Sequence, residues 1–168
     1  MTRSSLAILA GVFTLAFSPA CQREDISGPP SLRLGLDLCI GCGMLIMEDQ
    51  SSCSLLVTQD GDRAYLHFDD PGCLLDYRAD NPSTPIVDQF VHDYQSRQWL
   101  IATKACYLVG VDKTLSTPMG SGIVAFSSPT AANAQRTTSG GDVTHFEQLA
   151  NIRRAWRDAQ RARSSGTP

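Results

Sequence analysis

The sequence predicts an α+β domain built from two related ββα-type repeats with small, mostly antiparallel sheets, followed by a C-terminal amphipathic helix. Three observations carry that reading. Apolar residues alternate with period two in short runs bounded by turn signals, helices are announced by a capping residue and a proline, and the junction Phe68-Asp-Asp-Pro71 recurs as Phe126-Ser-Ser-Pro129.

Taken in order, Ser52 to Gln59 alternates as a strand, Gln59-Asp60-Gly61-Asp62 is a turn, and Ala64 to Phe68 is the return strand of a hairpin. Asp70 then offers an N-cap and Pro71 a first helical residue, for a helix that reaches Arg78 and is ended by Asn81-Pro82 and Thr84-Pro85. Ile86 to Tyr94 and Trp99 to Val111 read as further strands, Asp112 to Gly120 as a loop, and Ile123 to Phe126 as another strand. Ser128 and Pro129 open a short helix that Gly140-Gly141 stops. In the last segment Phe146, Leu149, Ile152 and Trp156 recur at helical spacing, while Arg153, Arg154, Arg157, Arg161 and Arg163 fill the remainder. That is an amphipathic helix packed on the domain, or alternatively a basic face for anionic lipid or an acidic surface.

The organisation around this domain is that of an exported protein. Arg3 precedes an apolar run from Leu6 to Phe17, long enough for a signal h-region and shorter than the roughly 20 residues a bilayer span needs. The run ends in Ser18-Pro19-Ala20-Cys21, so residues 1–20 read as a lipoprotein signal peptide and Cys21 as the lipidated residue; ordinary secretion with cleavage after Ala20 is the alternative. Residues 21–35, with Gly28-Pro29-Pro30, read as a flexible tether, 36–162 as the domain and 163–168 as a disordered tail. Either form of export places the chain on the periplasmic side of a bacterial membrane. Without the leader the chain has 13 Lys+Arg against 17 Asp+Glu, a net charge of −4 that argues against nucleic acid as a partner.

An oxidising compartment normally commits cysteines to disulfides. With Cys21 acylated, Cys39, Cys42, Cys53, Cys73 and Cys106 remain, and five thiols leave at least one unpaired. Cys53, Cys73 and Cys106 lie in apolar contexts and read as core residues or as one structural disulfide. Cys39 and Cys42 differ, because Cys39-Ile-Gly-Cys42-Gly-Met44 sets two thiols and a thioether in a glycine-rich loop. Soft thiolate and thioether ligands select Cu(I), whereas Zn is usually held by Cys and His without Met. In extended backbone, residues two apart share a side at roughly 6.5–7 Å, which lets Cys42 and Met44 converge on one ion.

Cys39-Ile-Gly-Cys42-Gly-Met44, Phe68-Asp-Asp-Pro71-Gly-Cys73, Trp99-Leu-Ile-Ala-Thr-Lys-Ala-Cys-Tyr-Leu-Val-Gly110 and Thr117-Pro118-Met119-Gly120 resemble, in order, segments of the NosL family. The resemblance spans Leu38 to Leu149. It implies a pair of ββα-type repeats and Cu(I) binding through sulfur and an imidazole. It also implies delivery of copper to the copper–sulfide cluster of nitrous oxide reductase, with the help of a membrane ABC-type complex. The family's Cys-Gly-Met falls on Cys42 and Met44, and its Pro-Met-Gly falls on Met119. The candidate Cu(I) ligands are thus Cys42, Met44 and Met119, with Cys39 as bystander, disulfide partner or alternative ligand. His67 and His92 rank above His145 as imidazole candidates, since they share the first half of the fold with the Cys-Gly-Met loop.

No nucleophile motif, phosphate-binding glycine loop or paired His-Glu metal motif occurs, which weighs against an enzyme. Two other classes stand beside the copper reading. A thiol–disulfide oxidoreductase using Cys39 and Cys42 would need that pair at a helix start. A structural Zn module would need a second paired-ligand knuckle, which the spacing of the later cysteines does not supply.

Overall fold

The computed structural model describes residues 26–110 and 115–166; the expected leader, Cys21, and parts of the tether, of the loop after Val111 and of the tail lie outside them. The chain runs β1 (Cys53–Gln59), β2 (Asp62–Phe68), α1 (Pro71–Asp80), β3 (Ile86–His92), β4 (Trp99–Ile101), β5 (Cys106–Val109), β6 (Ile123–Phe126), α2 (Pro129–Ser139), β7 (Asp142–His145) and α3 (Phe146–Ser165). Among the described residues no helix is long and apolar enough to cross a membrane.

The strands form two antiparallel sheets, ordered β2-β1-β3-β4 and β6-β5-β7. The internal repeat is real and longer than the sequence suggested: each half is ββαβ, with its first strand in the middle. The registers correspond as well, Cys53 pairing with Phe68 and Val91 in one half, and Cys106 with Phe126 and His145 in the other. Both helix starts use the expected device. Asp70 accepts from the Gly72 amide and Ser128 from the Ala131 amide, each just before the proline that opens the helix.

Two expectations change. The run expected as one strand from Trp99 to Val111 is, over its described residues to Gly110, two strands broken by a 3₁₀ turn at Ala102–Lys104 that carries the chain from the first sheet to the second. Tyr107, fully buried, donates its hydroxyl to the Ala102 carbonyl and fixes that turn. In the last segment α3 continues to Ser165, into the expected tail, and its inward positions are Leu149 and Arg153, with Ile152 exposed.

The main core lies between the sheets and includes Cys53, Leu55, Val57, Phe68, Tyr107 and Leu149; a smaller one under α2 gathers Cys106, Leu108, Val124, Phe126 and Ala132. β5 and β6 are buried on both faces, which is why they read as continuous apolar runs. Two buried aspartates tie the halves together. Asp70 accepts from the amides of Met119 and Ser121, and Asp93 from those of Gln95, Ser96 and Ser127. The described part of the expected tether lies along β2, where Tyr65 donates to the Gly28 carbonyl and Arg63 to that of Ile26.

Candidate metal centre

Residues 38–45 form a small hairpin. Leu38 and Leu45 bridge, the Cys39 amide donates to the Met44 carbonyl at 2.8 Å, and the Gly43 amide donates to the Cys39 carbonyl at 2.8 Å. Gly43 has φ +77°, the left-handed region that glycine enters without strain, so Cys42 and Met44 are joined by a turn and not by extended backbone. The Ile40 amide donates to the His67 carbonyl and docks this loop on the end of β2. Gly41 sets its distance from α1: a Cβ there would stand 2.9 Å from the Cys73 Cβ. Gly41→Ala is therefore expected to force the loop off the helix and lower the unfolding free energy by about 1–3 kcal/mol. A melting temperature equal to the parent's would contradict this.

The consequence of that docking is a compact donor group. The Sγ atoms of Cys39, Cys42 and Cys73 and a carboxylate oxygen of Asp69 all lie within 4.8 Å of one another. Cys39 and Cys42 come from the loop, Asp69 from the residue after β2, and Cys73 from the first turn of α1. The Cys42 Sγ is 3.8 Å from each oxygen of Asp69. Cys39 and Cys73 are buried, and Cys42 is half-buried at the mouth of a depression that Ile40, Tyr77, Met119 and Trp156 also line.

The group is electrostatically asymmetric. The Cys73 thiol donates to Cys39 and, against the opposing effect of burial, holds the Cys39 thiol below the usual thiol value, which favours its ionised form. As the donor of that bond, Cys73 is pushed well above the usual thiol range, with burial acting in the same direction. Burial also raises Cys42, and burial together with the Cys39 thiolate raises Asp69 to about 6. Three thiols, one of them favoured in its ionised form, and a weakly basic carboxylate are a donor set suited to a soft cation, which would bind by displacing protons.

The other sequence candidates fall as follows. Met119 reaches the same depression because Asp70 holds its amide against the start of α1, and its side chain is 40% exposed there. Met44 is 48% exposed on the outer side of the hairpin turn and does not line the depression. His67 hydrogen-bonds Ser54 through Nδ1 and stands 4.0 Å from Asp37 through Nε2. His92 bonds Ser52 and stacks on Trp99 at 3.6 Å. Neither ring belongs to the four-donor group, and burial keeps both on the neutral side. The sequence reading left out Asp69, and it took Cys73 for a core thiol. The junction that carries both was legible, but its cap and proline drew the reading toward helix initiation.

No curated protein matches the chain significantly. Among solved structures it is similar to the copper chaperone NosL from Shewanella denitrificans, with a TM-score of 0.57 and 23% identity, over 71% of this chain and 96% of that one. The NosL family model matches residues 35–152, a span that includes both sheets and all four donors, and the chain belongs to the NosL family.

Proposed function

We propose that the protein is a periplasmic Cu(I)-binding metallochaperone. The observation that carries the reading is the convergence of three thiols within 4.8 Å, one of them half-buried on a depression that Met119 also lines. Two or three thiolates satisfy Cu(I), and a methionine at the mouth offers a weak ligand through which a departing ion passes. Family membership and the solved relative's role as a copper chaperone support the same reading. So does a site open on one side, which an acceptor's ligands can enter.

The four-donor count also fits tetrahedral Zn, and this is the one competing reading that a specific observation favours. A direct competition decides between them. Reduced mature protein is titrated with Cu(I) against bicinchoninate, in the absence and presence of excess Zn(II). Capture of one Cu(I) per chain that Zn(II) does not displace is the expected result. Retention of Zn(II) against Cu(I) would overturn the proposal.

The client that the family implies is nitrous oxide reductase, reached through its ABC-type maturation complex, and the proposed place of work is a membrane to which Cys21 is anchored. Mass spectrometry of the mature protein is expected to show diacylation of Cys21; an unmodified N-terminus there would make the protein a soluble periplasmic carrier. Cells in which Cys42→Ala replaces the native protein are expected to accumulate reductase lacking its copper–sulfide cluster. Normal cluster content in those cells would remove this client.

A further inference from the structure

α3 continues past Ile152, where the family-matched residues end, and the first turn beyond that point packs on α1 and lines the depression that Cys42 and Cys73 also line. Arg153 is only 8% exposed and forks onto Asp76 of α1, Nε to Oδ1 at 2.9 Å and Nη2 to Oδ2 at 2.7 Å. Arg157 adds contacts to Asp76 and Asp80 at 3.4 and 3.2 Å. The Arg153 guanidinium lies over the Trp156 ring at 4.0 Å. Its other side presses on the site: a Cβ on Gly72 would come within 3.0 Å of the Arg153 Cζ and 2.7 Å of the Ser121 Cβ. Gly72 precedes Cys73, and Ser121 follows the Met119 turn. Trp156, 39% exposed, walls the depression onto which Cys42, Cys73 and Met119 open.

Stability alone does not account for this turn. The Arg153 Nη1 is buried with no hydrogen-bond partner, and an apolar residue of similar volume would anchor the helix without that cost. A guanidinium does what such a residue cannot. Its fork fixes α3 to α1 in one geometry, and its charge over the ring face holds the indole in place beside the depression.

We infer that the Arg153–Trp156 turn is the gate of the metal group, setting how fast copper enters and leaves without ligating it. This rests on the copper reading above. Trp156 narrows the path to Cys42 and Cys73, and Arg153 is the positioning residue that keeps the indole there. Opening the path speeds entry and exit alike, so exchange accelerates while the equilibrium affinity stays where it was.

The test uses the mature chain and the variants Trp156→Ala, Trp156→Phe and Arg153→Lys. Transfer of Cu(I) from the loaded protein to bathocuproine disulfonate gives the exchange rate, and equilibrium competition on the same samples gives the affinity. A third readout needs no metal: iodoacetamide labelling of Cys42 and Cys73 in the apo protein, followed by peptide mass spectrometry. Trp156→Ala is expected to exchange about tenfold faster and to label faster at both thiols, with an unmoved competition curve. Arg153→Lys loses the fork and moves the same way, and Trp156→Phe stays near the parent. Parent-like exchange and labelling in both Trp156→Ala and Arg153→Lys would overturn the gate, as would a displaced competition curve. Faster labelling in a protein that captures no Cu(I) would retain the gate over the thiols and remove the copper reading instead.

Discussion

Cys39→Ala is expected to weaken Cu(I) binding more than any other single substitution, by well over about 100-fold, since changes to groups that merely orient a ligand already cost 10–100-fold. Cys39 is the thiol whose ionised form the site favours and the acceptor that holds the Cys73 thiol in place, so its loss is expected to remove one ligand and free another. Cys42→Ala removes the thiol at the mouth and is expected to follow closely. Met44→Ala combined with Met119→Ala costs less, because thioethers carry no charge and both side chains are substantially exposed. Chelator competition measures all of these. A Cys39→Ala curve that lies on the parent's would overturn the assignment of the group.

The same argument fixes the pH dependence. Cys39, lowered by the Cys73 thiol that donates to it, gives up its proton most readily of the three and is expected to add least to the slope. Cys42 and Cys73 both lie above the ordinary thiol value, so between pH 6 and 8 each must give up a proton as it binds. Affinity therefore rises with pH and falls as the solution is acidified, by about one log unit per pH unit for each of these thiols engaged. Above pH 7, clear of the Asp69 carboxyl at about 6, a slope near two is expected if all three thiols hold the ion and a slope near one if Cys39 does so with one other. A flat profile would show that neither Cys42 nor Cys73 is a ligand.

How much of this was legible follows from sequence distance. Cys39 and Cys42 were visible because they share one loop with two glycines. Asp69 and Cys73 join them only through the β1–β2 hairpin and the start of α1, and no local pattern records that closure. The repeat was readable from Phe68-Asp-Asp-Pro71 and Phe126-Ser-Ser-Pro129, because capping chemistry is local. Its final strand in the second half, Asp142–His145, is four residues long and too short to show a period. Trp99 to Val111 looked like one strand because its apolar character continues across the 3₁₀ turn, and the change of sheet is a tertiary event. Arg153 was placed on the outer face of its helix by polarity; Asp76, 77 residues earlier, is what draws it inward.

Asp93→Ala is expected to cause a large loss of stability, about 3–5 kcal/mol, from a total that is typically about 5–15 kcal/mol for a domain of this kind. The carboxylate is 2% exposed and accepts from three amides, Gln95 at 2.8 Å and Ser96 at 3.1 Å through Oδ1, and Ser127 at 2.8 Å through Oδ2. The first two close the turn after β3, and the third holds the segment between β6 and α2, so one side chain pins the first half of the fold to the second. Alanine leaves all three donors without their acceptor, at about 1–3 kcal/mol each and toward the lower end because the sites are partly buried. Asn keeps one oxygen and is expected to cost less. The pH dependence has a definite sign. Burial alone would raise the Asp93 carboxyl, but the hydrogen bonds from Ser127, Ser96 and Gln95 override it and hold the group below its ordinary value of 3.8. Its contribution is then fully present above pH 3.8 and is lost as the pH falls through the lower folded value, so parent and variant converge in acid. Urea denaturation at pH 7 and again near pH 3 measures both statements. A difference at pH 7 below about 1 kcal/mol would show that water replaces the carboxylate at these amides and that the two halves are held together by their apolar core and the Asp70 bonds.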